Sequence, residues 1–144
     1  MLAVFQSTKT ESGKLLPTAF KNAHLHGGNV SLSRLRYTTR QTFDAKVVGP
    51  KASDPLKGVV TCATSVLRGL LVPLPNATPP AQIRAVCVLD KVEPLDYDGH
   101  AALEYCEDQQ SITNQQTKAL LRAGIAVALV SAFGEIRATD SVFT

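Results

Sequence analysis

The stretch from Ser111 to Phe133 constrains the fold more than any other part of the chain. Thr113 and Gln116 have capping-box spacing, in which the hydroxyl accepts from the third amide and the amide side chain reaches back. From Ala119 the segment is apolar nearly all round, with Arg122 and Gly124 the exceptions, and Gly134 is a natural C-cap. A helix apolar on most sides needs cover on more than one of them, in a core or an interface. The rest of the chain reads as short strands and turns without regular βαβ alternation. The expected fold is therefore α+β: a small mixed or mainly antiparallel sheet packed against the long C-terminal helix and one or two shorter helices.

The 144 residues suit one globular domain, residues 1–144, with a mobile tail from about residue 138. Leu2 to Phe5 is a short apolar run, Glu11 to Lys14 reads as a turn, and Leu15 to Phe20 is a second apolar segment. His26-Gly27-Gly28-Asn29 is the strongest turn signal, and Val30, Leu32 and the intervening serines alternate as a half-buried strand should. Together these predict a hairpin across the Gly-Gly turn. Thr38 or Thr39 caps a short helix through Lys46 with Phe43 and Val47 inward, stopped by Gly49-Pro50. Val59 and Val60 read as strand, followed by a helix ending near Gly69. Four prolines between Pro73 and Pro80 mark an extended loop. Ile83 to Leu89, almost all apolar and β-branched, reads as the central strand. An acidic loop runs from Asp90 to Gly99, and His100 to Tyr105 after it reads as a strand or a short helix, with Leu103 and Tyr105 on one face favouring the strand.

The charge is unevenly spread: nine Lys and Arg against three Asp and Glu up to residue 60, and six against nine after it. Such asymmetry admits a nucleic-acid face, although no basic run or basic–aromatic alternation accompanies it, and two halves packing against each other account for it as well. Three cysteines at 62, 87 and 106 form no CxxC pair, which removes the zinc-ribbon and thioredoxin signatures. Cys62 and Cys87 lie in apolar stretches and read as small buried hydrophobes, a disulfide is not expected, and a reducing, cytoplasmic location follows. The apolar stretch Ala123 to Phe133 is too short and interrupted to span a bilayer, so no membrane partner is expected.

Four groups carry candidate chemistry. His100 begins an apolar segment after the acidic loop, where it can serve as a general acid or base, or simply hydrogen-bond a carboxylate such as Asp96 or Asp98. Ser31 is a candidate nucleophile with Ser33 beside it, although no GxSxG elbow surrounds either. Arg34 and Arg36 suit bidentate binding of a phosphate or carboxylate, or pairing with the acidic loop. His24 and His26 project to one side of an extended segment and form a weaker metal-site alternative with His100 or a carboxylate. There is no phosphate loop and no dinucleotide fingerprint, so no cofactor is expected.

The segments "KLLPTAF" (Lys14 to Phe20), "NVSLSRLRY" (Asn29 to Tyr37), "KGVV" (Lys57 to Val60) and "DGHAALEY" (Asp98 to Tyr105) before a C-terminal helix resemble, in that order, a diffuse class of small bacterial proteins. The resemblance implies a single-domain companion of a larger protein, in toxin or phage-defence loci. It makes Ser31, Arg34 and His100 the matching polar positions of any ligand site. The longer Pro-rich loop and the Asp-Gly before His100 depart from it. Three functions follow as expectations. The first is an interaction module or accessory subunit that binds another protein or itself and has no catalysis of its own. The second is a small hydrolase or transferase for a phosphorylated or nucleotide-like substrate. The third is nucleic-acid binding through the basic half.

Overall fold

The computed structural model describes residues 1–20, 25, 30–91 and 97–143. It is an α+β fold. Its strands are β1 (Leu2–Phe5), β2 (Thr10–Glu11), β3 (Lys14–Leu15), β4 (Val30–Ser33), β5 (Leu56–Val60), β6 (Leu71–Pro73), β7 (Gln82–Arg84), β8 (Cys87–Asp90) and β9 (His100–Glu104). Among the described residues the α-helices that can be given a range are α1 (Arg40–Phe43), α2 (Thr64–Arg68) and α3 (Gln115–Phe133). Among the described residues all the strand pairings are antiparallel: β1 with β5, β2 with β3, β6 with β7, and β4-β9-β8 in a three-stranded sheet.

The main hairpin expected of β4 is not its pairing. β4 runs against β9, with Val30 opposite Leu103 and Ser33 opposite His100. The segment before it instead closes the β2–β3 hairpin, where Ser12 and Gly13 at φ 48° and 76° make the two-residue turn that suits strand twist. The Gly27-Gly28 turn itself lies outside the described residues, as do His24 and His26. β1 and β4 are joined at one end by a reciprocal pair: the Met1 amine donates to the Ser33 carbonyl (2.9 Å) and the Ser33 amide to the Met1 carbonyl (2.8 Å). This links the β1–β5 ribbon to the edge of the three-stranded sheet.

Ile83 to Leu89 is not one central strand. It breaks at Ala85 and Val86, both fully buried, and its halves join different sheets. A continuous apolar run signals burial and not which partner a strand finds. At the break the Ala85 amide donates to the Leu70 carbonyl, and the Gln109 side-chain amide donates to the carbonyls of Arg84 and Ala85, both at 2.7 Å. Buried backbone groups that leave a ladder need such replacements. The central strand is β9, with Ala101, Ala102 and Leu103 buried.

The long helix starts one residue later than the capping-box spacing suggests. Asn114 is its N-cap, accepting from the Thr117 amide at 2.9 Å. Asparagine caps as well as threonine, so the local spacing could not choose between them. Gly134, at φ 70°, ends it and donates to the Val130 carbonyl. Leu121, Ile125, Leu129 and Phe133 pack into the main core with Val4, Leu32 and Leu103. By length and composition this 19-residue helix reaches what a membrane span requires, more than the Ala123–Phe133 stretch alone suggests. Here it serves as the core helix, while its other side is exposed at Leu120 and Val127.

Thr39 caps α1 as expected, and Phe43 is fully buried. The helix continues through a wider π-helical turn, Asp44–Val48, into a 3-10 turn, Gly49–Lys51. The C-terminal segment runs back over the rest of the chain. Glu135 and Arg137 bridge to Lys14 and Val59, and Phe143 packs on Phe43. Gly58 permits that approach, because a Cβ there would lie 2.5 Å from the Arg137 carbonyl oxygen.

Cys87 and Cys106 form a disulfide with Cα atoms 5.1 Å apart, against the expectation of unpaired cysteines. The β8–β9 pairing makes the bond: Cys87 lies opposite Glu104, two residues before Cys106. Connectivity depends on that register, which spacing alone does not reveal. The ground for expecting a reducing compartment falls with it. Cys62 is free and half-buried, and burial pushes its thiol pKa up.

Candidate functional site

Paired residues on neighbouring antiparallel strands point to the same face, and diagonal neighbours on that face are within reach of each other. Ser31 lies opposite Ala102 and Ser33 opposite His100, so Ser31 and His100 are such a diagonal pair. The Ser31 hydroxyl and His100 Nε2 are 2.5 Å apart. With His100 neutral and its proton on Nδ1, the Ser31 hydroxyl donates to Nε2. This is the arrangement in which an imidazole can take a serine proton.

Tyr97 organises the other side of the imidazole. Its carbonyl accepts from the His100 amide at 2.9 Å, closing a turn that brings the ring back over the strand. The phenol then stacks on the imidazole with centroids 5.5 Å apart, and its hydroxyl is 2.5 Å from the Ser33 hydroxyl. Ser33 is buried and engaged by Tyr97, whereas Ser31 is exposed. Of the two serines, only Ser31 can meet a ligand. Gly99 is required before His100, because a Cβ there would stand 1.9 Å from Thr38 Oγ1.

Ser31, His100 and Tyr97 line a cavity of about 400 Å³. Leu2, Ala3 and Phe5 of β1 and Val30 and Ser31 of β4 line it, on the two strands that the Met1–Ser33 link joins. Phe20, Val47 and Pro50 extend the apolar lining. Lys46 and Lys51 also line it, and Lys51 Nζ lies 4.6 Å from the centroid of Phe5. No Asp or Glu is among its described lining residues.

Arg34 and Arg36 are not part of this cavity's lining. Arg34 pairs with Asp90 at 2.6 Å, and both guanidiniums lie over the Tyr37 ring at 5.7 and 5.6 Å. Of the pairings weighed for the arginines, contact with the acidic segment is the one Arg34 makes. Among the described residues no cluster of three metal-ligating side chains occurs. Sequence reasoning missed Tyr97, Lys46 and Lys51. Tyr97 had a signal, standing three residues before His100, but the lysines had none, because the helical turns of residues 44–51 meet β1 only in the folded chain.

Comparison with protein-family models, curated proteins and solved structures found no match to this chain.

Proposed function

We propose that the protein is a small hydrolase or transferase that works through a covalent intermediate on Ser31. The observation that carries this is the 2.5 Å contact between Ser31 Oγ and His100 Nε2 at the wall of a cavity large enough for a small ligand. Ser31 Oγ attacks an acyl carbon or phosphorus while its proton passes to His100 Nε2. The leaving group departs with its bonding electrons and takes that proton from the imidazolium. A water or acceptor alcohol, deprotonated in turn by His100, then displaces Ser31 and returns its proton. Tyr97 positions the imidazole through stacking.

A fluorophosphonate probe tests this directly, because Ser31 would displace fluoride and form a stable P–O bond. Intact-mass and peptide mapping are expected to place one adduct on Ser31, lost in Ser31→Ala and slowed at least a hundredfold in His100→Gln. No adduct, or equal labelling of a folded His100→Gln variant, would remove the reading.

The accessory-subunit reading keeps one specific support: Leu120 and Val127, 52% and 58% exposed and two turns apart on the outer face of α3. A larger protein partner would cover them. Purification from the native host should then yield one stoichiometric protein, lost in Leu120→Glu/Val127→Glu. A partner retained by that variant, or a clean monomer, would remove it.

A further inference from the structure

We propose that the cavity between β1 and β4 takes an amphipathic ligand with a single anionic head, a carboxylate or a phosphate, held at Lys46 and Lys51, and a short apolar body. This rests on the reading of Ser31 and His100 as the site and names the substrate class for it. The lining divides by chemistry. Leu2, Phe5, Phe20, Val30 and Val47 offer apolar surface that favours a hydrocarbon or ring over water. The charged groups among the described lining residues are cationic, Lys46 and Lys51, both on the short helical turns that run along the cavity.

Position makes Lys51 the stronger case. Its ammonium lies over the face of Phe5, so one cationic head stands at the apolar wall. A ligand that places its apolar part against Phe5 brings its head within reach of that ammonium. Asp54 is the acid in electrostatic contact with Lys51, but Ser7 holds it through both its amide and its hydroxyl. Ser7 lines the cavity and Asp54 does not, so among the described lining residues the charged side chains are Lys46 and Lys51. The scissile group would then lie between the anionic head and Ser31. At about 400 Å³ the cavity is at the small end for ligand sites, which limits the apolar body to a short chain or one ring.

The test uses the full chain carrying Ser31→Ala, so that binding is read without turnover. Hexyl phosphate, hexanoate and hexan-1-ol are titrated and followed by amide shifts around Val30 and His100. At least one anion is expected to bind tenfold or more tighter than the alcohol. Hexyl phosphate alone doing so identifies a phosphate head, and hexanoate alone a carboxylate. Lys46→Ala/Lys51→Ala should weaken the preferred anion at least tenfold and leave hexan-1-ol unchanged. Equal affinity for the alcohol, anion binding indifferent to the lysine change, or no shifts with any of the three would overturn the inference. Fluorophosphonate labelling of Ser31 without anion preference would remove this ligand class and leave the hydrolase reading standing. Anion preference without labelling would support the ligand class and remove the catalytic reading.

Discussion

Removing the Cys87–Cys106 bond should destabilise the fold by about 3 kcal/mol. The two half-cystines are 19 residues apart, and closing a loop of that size removes roughly 11 cal/mol/K from the unfolded chain, which at 25 °C is about 3 kcal/mol. For 144 residues the unfolding entropy is about 0.3 kcal/mol/K near the midpoint, so the expected fall in Tm is about 10 °C. The perturbation is Cys87→Ala/Cys106→Ala, read by calorimetry beside the parent protein with and without a phosphine reductant. The reduced parent and the double variant should melt within a few degrees of each other, both well below the oxidised parent. Alkylation in denaturant should modify one thiol, Cys62, before reduction and three after it. Three modified thiols without reductant, or a Tm indifferent to both perturbations, would refute the reasoning. Cys106 lies beyond the end of β9 opposite to His100, so labelling of Ser31 at 25 °C should be unchanged by the loss of the bond.

Gly99→Ala should cost about 1–3 kcal/mol through its clash with Thr38 Oγ1 and displace His100. Thr38→Ala in the same chain removes that oxygen and should recover part of the loss, measured by urea unfolding. Asn114→Ala removes the cap of the long helix and should cost about 1 kcal/mol, a fall of about 3 °C in Tm, with Asn114→Ser close to the parent. Burial lowers the Met1 amine from 8.0 to about 6. In a chain with a free amine at Met1, the unfolded state therefore binds more protons between these values. Stability should rise from pH 6 to pH 8 by up to about 2–3 kcal/mol and be lower below pH 6, where the ammonium is buried at a cost. Comparing urea midpoints of free and acetylated chains isolates this group, and parallel pH profiles would contradict it.

Local chemistry alone determined the elements whose causes are local. The apolar run ending at Gly134 predicts α3, Thr38 or Thr39 predicts the start of α1, and Gly13 predicts a turn. Each follows from a cap, a period or a dihedral preference set by residues within a few positions. The α+β class followed because an apolar helix needs a layer to pack on. Ser31 and His100 could be named as candidates because each sits at a recognisable position on its own strand. Tertiary structure alone decided that they meet, through a β4–β9 pairing that joins residues 69 apart. It also decided the break at Ala85, the Cys87–Cys106 bond, and the placing of Lys46 and Lys51, and not Arg34 and Arg36, in the lining of the cavity. A strand carries its own alternation but not its partner or register, because the free energy of pairing belongs to the side chains on both strands and to what covers them.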